Sequence, residues 1–314
     1  MTYKIADFHC DVLSKMLVDD SIDFGQADSD RLDVTYARLI KAQAVLQTFA
    51  IYIPEQMELG MRPILRSIDL FYRKVLNYPR MKLVRSAGDL ELSLQHGQIG
   101  ALLSLEGVGG LMEDLTNLRI LFYLGVRALG LTWNHANWAA DGVMEPRQGG
   151  LTRKGRSLVR NCNEMGILLD VSHLTDRGFW ELVDESEAPF IASHSNARSI
   201  CDHPRNLTDE QIRAIIAMDG RIGITFVPWF VNKPQPAVID DVLRHVEHVC
   251  ALGGEQQLML GSDYDGIDRH VVGLSHPGEN VNLIEALQKH YNETLVASFT
   301  YQNAVRFLKT NLPR

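Results

Sequence analysis

The stretch Ile167-Leu168-Leu169-Asp170-Val171-Ser172-His173, followed one helix-length later by Phe190-Ile191-Ala192-Ser193-His194, decides how the chain is read. Each is an apolar, strand-like run that ends in a histidine. Consecutive strands joined by a helix pair in parallel, so these two runs are expected to be neighbours. The same form recurs at Ile5-Ala6-Asp7-Phe8-His9-Cys10-Asp11, at Leu102-Leu103-Ser104-Leu105-Glu106-Gly107 and at Met259-Leu260-Gly261-Ser262-Asp263. Together the five segments bring three His, one Glu and two Asp to strand C-termini. Imidazole and carboxylate are the donors that zinc and similar divalent ions accept. Strand C-termini are also where barrel enzymes build their sites.

Working outward, strand patterns fall at about 3–9, 44–53, 99–105, 126–132, 167–172, 189–194, 221–227 and 257–262. Between them, Arg62 to Leu76 and Val238 to Leu252 carry apolar residues at helical spacing. Thr208 to Met218 does too, with Thr208 as cap and Gln211 three residues on. Glycines at Gly166, Gly220 and Gly253-Gly254 end helices. Eight alternating strands and helices predict a (β/α)₈ TIM barrel of the metal-dependent hydrolase type, a single domain over residues 1–314. An open doubly wound sheet would carry a glycine-rich phosphate loop after its first strand. Here that strand ends in His-Cys-Asp, and Gly107-Val108-Gly109-Gly110 has the wrong spacing. Ala139 to Arg153, rich in Gly and charge, is expected to be a loop over the site.

Of the 314 residues, 46% are hydrophobic and 22% charged, enough for a sizeable core. A net charge of −8 argues against a nucleic-acid partner, which needs a basic surface. The four cysteines are scattered and read as buried free thiols of a reducing compartment. Cys10 would alternate to the face opposite His9 and Asp11, so it is not expected to be a ligand. No run approaches the roughly 20 apolar residues of a membrane span, and no leader or lipid-anchor pattern is seen. A soluble, cytoplasmic protein without a membrane partner is expected.

Two residues apart in a strand, His9 and Asp11 share a face and could hold one ion. His173 and His194 could hold another. Glu106, with two oxygens, could bridge the pair alongside a hydroxide that attacks a carbonyl. Asp263 could carry the proton to the leaving group or serve as a ligand. His96, His245, His248 and His290 lie in polar or helical contexts and read as surface groups.

These motifs resemble the membrane (renal) dipeptidase family of zinc peptidases, its bacterial members in particular. The resemblance covers nearly the whole chain. It is carried by His9-Cys10-Asp11, Ser104-Leu105-Glu106-Gly107, Arg127 to Thr132, Asp170-Val171-Ser172-His173, Ser193 to Ala197, Arg205-Asn206 and Gly261 to Gly266. It implies two zinc ions, one on His9, Asp11 and Glu106, the other on Glu106, His173 and His194. It implies Asp263 as general acid/base, Arg205 gripping the carboxylate of a dipeptide, Asn206 beside it, tolerance of a C-terminal D-residue, and a homodimer. One position departs. The family's substrate-contacting His after Leu-Thr is Trp133 here. Either His135 takes its place or Trp133 walls the pocket and the metals alone polarise the carbonyl. The alternative activity is an amidohydrolase for another small amide, lactam or lactone.

Overall fold

The computed structural model describes residues 3–314. Its strands are β1 (Ile5–Asp7), β2 (Ala44–Ile51), β3 (Met81–Leu83), β4 (Ile99–Glu106), β5 (Val126–Gly130), β6 (Leu168–Asp170), β7 (Ile191–Ala192), β8 (Arg221–Ile224) and β9 (Leu258–Leu260). All pairings between strands are parallel. The order is β2-β1-β9-β8-β7-β6-β5-β4, and β2 pairs back onto β4, which closes an eight-stranded barrel. The eight strand patterns in the sequence are these eight staves.

The ninth strand was not expected. Met81 to Leu83 is too short to show a period and is only partly buried. It pairs with Ile99 to Ala101, while β5 pairs with β4 from Leu103 onward. Since β2 holds the other edge of Gly100, β3 occupies the lower part of the β5 edge.

The barrel is closed at one end by its last helix. Leu102, Ala128, Leu168, Ile191 and Met259, from five strands, cluster with Ala304, Phe307 and Leu308 of the helix Asn303–Asn311. Arg221, first in β8, donates to Asn303 O and stacks its guanidinium on Phe307. The helix therefore caps the strand N-termini, leaving the C-terminal rim open for a site. The apolar layer against the outer helices is the larger cluster, with Leu103, Leu105, Leu129, Leu169 and Ile222.

Local signals held where chemistry dictates them. Thr208 and Gln211 form a reciprocal capping box on the helix Asp209–Ala217. Gly166, at φ 70°, ends the helix Arg153–Met165, a left-handed turn that costs glycine little. The pattern from Arg62 appears as an α-helix, Met61–Leu70, that widens to a π-turn over Phe71–Val75. No helix of the described residues is long and apolar enough to cross a membrane.

Candidate metal centre

Glu106 is the last residue of β4, but the other candidate ligands lie beyond their strands. The regular part of β1 stops at Asp7. The chain nevertheless stays extended, with Cys10 bridged in parallel to Tyr264 and packed in the outer apolar layer, so His9 and Asp11 on either side of it face the rim before the helix Val12–Val18 begins. His173 lies three residues past β6 at φ 72°, and Asp263 three past β9 at φ 67°. Non-glycine residues seldom occupy the left-handed region, His and Asp being among those that do, and residues held there cluster at functional sites. A Cβ on Gly266 would come within 2.5 Å of both Asp11 Oδ2 and Asp263 Oδ1. The glycine lets the two carboxylates share one corner.

The donor atoms converge in two groups that share Glu106. One is His9, Asp11 and Glu106, the other Glu106, His173 and His194, each with its donor atoms within 4.8 Å of one another. Glu106 Oε2 lies 3.5 Å from His9 Nε2, and Oε1 lies 3.0 Å from His173 Nε2 and 3.8 Å from His194 Nε2. The carboxylate thus turns one oxygen to each group. His9 Nε2 is also 3.3 Å from Asp11 Oδ2 and 3.6 Å from Asp263 Oδ1.

The imidazoles are held in the tautomer that a cation needs. His173 Nδ1 faces Asn134 Oδ1 at 2.8 Å and donates to it. Ser193 Oγ donates to Asp170 Oδ2, and so accepts from His194 Nδ1 at 2.7 Å. Both Nε2 atoms then point bare lone pairs at each other, 2.9 Å apart. Two facing lone pairs repel unless a positive charge sits beside them, and outer partners of this kind orient metal-binding histidines. Asp170 also accepts from the backbone of Ser172 and Ser193, and Asp7 from that of His9 and Ser262, so each strand end is tied to the next.

The electrostatics point the same way. Burial first, then the charges of Asp11, Asp263 and Asp170, push Glu106 up to about 8, against the pull of His9. Burial and Asp11 likewise raise Asp263 to about 7. For His9 burial alone would lower the pKa, but Glu106, Asp11 and Asp263 carry it up to about 10. Burial, with Arg205 and His9 nearby, holds His173 and His194 neutral, well below the ordinary value. Clustered buried carboxylates with neutral imidazoles are a donor set suited to divalent cations.

Above the centre lies a cleft of about 280 Å³ lined by Tyr52, Trp133, Arg205, Trp229, Phe230 and Asp263 among others. Arg205 is buried, donates to His194 O at 3.3 Å, lies over the Phe230 ring, and leaves its Nε without a partner. Trp133 stands between Tyr52 and His173, with ring centroids 4.9 and 6.1 Å away. His135 is mostly exposed, does not line this cleft, and sits 3.7 Å from Glu55. Asn206 is buried away from it, donating to Cys201 O and Phe230 O. Asn206 thereby anchors the turn that carries Phe230. The Ala139–Arg153 loop reaches the cleft through Met144, while Val143 N binds His173 O at 2.7 Å.

Several contributors left no sequence signal strong enough to single them out. Asn134 sits in an unpatterned segment. Asp7 is an acidic residue within a strand whose role depends on a chain segment 255 residues away. Asp33 and Asp265 exchange backbone-to-carboxylate hydrogen bonds across the fold, which pins the turn following Asp263.

His245 overturns its surface reading. Its helix, Ile239–Ala251, turns this residue inward with Val242, Val246 and Val249, and the ring is fully buried. Nδ1 accepts from Ala197 N at 3.1 Å and Nε2 donates to Val231 O at 2.8 Å. Burial lowers its pKa to about 4. The unfolded chain, with a histidine near its ordinary value, binds more protons between about 6.5 and 4, so this contribution is complete above 6.5 and is lost as pH falls. At pH 5 the loss should be about 2 kcal/mol. Denaturant midpoints at pH 7 and pH 5 should therefore differ less in His245→Gln than in the natural chain. An unchanged difference would show that His245 titrates normally.

A closed parallel barrel whose rim gathers three histidines and a carboxylate shared by two donor groups has the architecture of a metal-dependent hydrolase. Residues 1–312 match the model of the membrane dipeptidase family, peptidase family M19, and the chain belongs to that family. A dipeptidase of Claviceps purpurea is 34% identical over 255 residues, which cover 80% of this chain and 60% of that protein. The chain thus spans about three fifths of that relative's length. The crystal structure of dipeptidase AC, a family M19 metallopeptidase, superposes with a TM-score of 0.91 at 26% identity, covering 100% of both chains. A metallopeptidase from Rhodobacter sphaeroides, bound to a phosphinate mimic of the dipeptide L-Ala-D-Ala, gives 0.90 at 25% identity, covering 99% of this chain and 100% of that one.

Proposed function

We propose that this chain is a binuclear zinc dipeptidase that hydrolyses the peptide bond of dipeptides, including those with a D-residue at the C-terminal position. The observation that carries the reading is the splayed Glu106 carboxylate, one oxygen toward His9 and Asp11, the other toward His173 and His194. Those five residues would hold the ions. When bound, a pair of divalent ions there supplies a water of lowered pKa and polarises the carbonyl. The ligand of the Rhodobacter relative supports the tolerance of a D-residue.

The chain's own residues supply the rest. Asp263, facing the same corner, takes a proton from the attacking water and returns it to the leaving amine. Arg205, a buried guanidinium that lines the cleft and leaves its Nε without a partner, binds the substrate's terminal carboxylate in a charge-assisted contact. Asn134 and Ser193 hold the two histidines in their tautomers. Trp133 forms a wall of the cleft, and His135, which lies beyond that wall in the lining of the neighbouring cleft, is assigned no part in polarising the carbonyl.

Metal analysis after zinc loading, followed by turnover of a dipeptide panel, tests this reading. Two zinc ions per chain and dipeptide cleavage are expected. Full activity with one ion would remove the binuclear assignment, and cleavage of lactams or lactones alone would favour the amidohydrolase alternative. Dipeptides amidated at the C-terminus should be poor substrates. Arg205→Lys keeps the charge but loses the planar fork, so KM should rise by about tenfold or more. Equal cleavage of amidated and free dipeptides would show that Arg205 has another task.

A further inference from the structure

Glu106 and the Tyr52–Trp133 pair border a second cleft. It is as large as the first, about 280 Å³, and lies on the far side of that aromatic wall. Its floor is Gly107, Gly109 and Gly110, and its apolar side includes Ile53 and Leu59. The glycines are required by close packing. A Cβ on Gly110 would meet Ile64 Cδ1 at 2.7 Å, and Gly107 has φ 87° with Trp133 N 3.3 Å from a built Cβ.

The charges of the two clefts differ. Arg205 is the one Arg or Lys among the described residues that line the first. The second is lined by no Arg or Lys among the described residues, and by two carboxylates, Glu106 and Glu55. Glu55 is an exposed rim residue, and His135, which also lines this cleft, sits 3.7 Å from it. A bond cleaved over Glu106 has one residue on each side. If Arg205 holds the carboxylate, the carboxyl-terminal residue lies in the first cleft and the amino-terminal residue points toward the second.

We propose that the second cleft receives the side chain of the substrate's amino-terminal residue, and that Glu55 biases it toward long side chains ending in a positive charge. This rests on the dipeptidase reading above. The apolar walls accept the aliphatic stem of such a side chain, while Glu55 at the rim meets its charged end, still in water. An acidic first side chain meets repulsion there.

The test compares kcat/KM for Lys-Ala, Met-Ala and Glu-Ala, with Ala-Lys and Ala-Glu as controls, in the zinc-loaded natural chain and in Glu55→Lys. Glu55 is exposed, so the variant should fold. The natural chain should prefer Lys-Ala over Glu-Ala. Glu55→Lys should lower that ratio by roughly tenfold, the sum of a lost attraction and a new repulsion at an exposed site. Met-Ala should be unaffected, and the change should shrink at high salt. An unchanged ratio, or a shift confined to Ala-Lys and Ala-Glu, would overturn the proposal. If no dipeptide were cleaved by the natural chain, the dipeptidase reading itself would fall, a result distinct from an unmoved ratio.

Discussion

Asp263→Asn should keep the fold and both metal ions yet lower kcat on the order of 10²–10⁴-fold, the usual share of general acid/base catalysis. The amide is nearly isosteric with the carboxylate, so Gly266 and Asp11 can keep their places around it. It cannot take a proton from water or deliver one to the leaving amine. KM should change little, because Arg205 is untouched. Two donor sets are complete without Asp263, through His9, Asp11 and Glu106 and through Glu106, His173 and His194. Asp263 also falls in a third group with His9 and His194, which gives the experiment its discriminating power. Metal content measured on the purified variant separates the roles. Loss of an ion would make Asp263 a ligand, and near-normal kcat would send the search for the proton carrier elsewhere.

Glu106→Gln should do more, because it touches both donor groups. The amide offers one oxygen where the carboxylate offers two, and no negative charge between two cations. Changes to outer partners of metal ligands already cost 10–100-fold in affinity or activity, so loss of a shared ligand should cost at least about 10²-fold in turnover. Bound zinc should fall toward one ion per chain or fewer under the dialysis that leaves the natural chain fully loaded. His194→Ala offers the contrast, since it should release one ion and leave the His9 side occupied. A Glu106→Gln chain that retained two ions and normal turnover would remove the bridge from the mechanism.

The sequence by itself determined the barrel and the composition of its rim. Eight strand patterns became eight paired staves because apolar runs alternating with helices bury both faces in a parallel sheet, and a first strand ending in His-Cys-Asp rather than a glycine-rich loop pointed to the closed form. His9, Asp11, Glu106, His173 and His194 were legible because each follows such a run, and the barrel's C-terminal rim collects whatever follows a strand. The capping box at Thr208 and the stop at Gly166 were legible because those rules act within one turn. Only the tertiary structure decided the rest. β3 exists because the lower edge of β4 lies open to it, and three residues carry no period of their own. His245 is buried because of which helix face meets the Ala197 and Val231 backbones, and helical spacing alone does not say what a polar residue on the seam will find there. Asn134, Asp7, Asp170 and Asp33 act through partners on other strands and loops. His135 faces the neighbouring cleft and Asn206 the backbone of Cys201 and Phe230, while Tyr52 and Trp133 are drawn together between the two clefts. Local residue types specify what a chain segment can donate. The fold alone specifies what that donor faces, because hydrogen-bond partners, burial and charge at a rim come from segments distant in sequence.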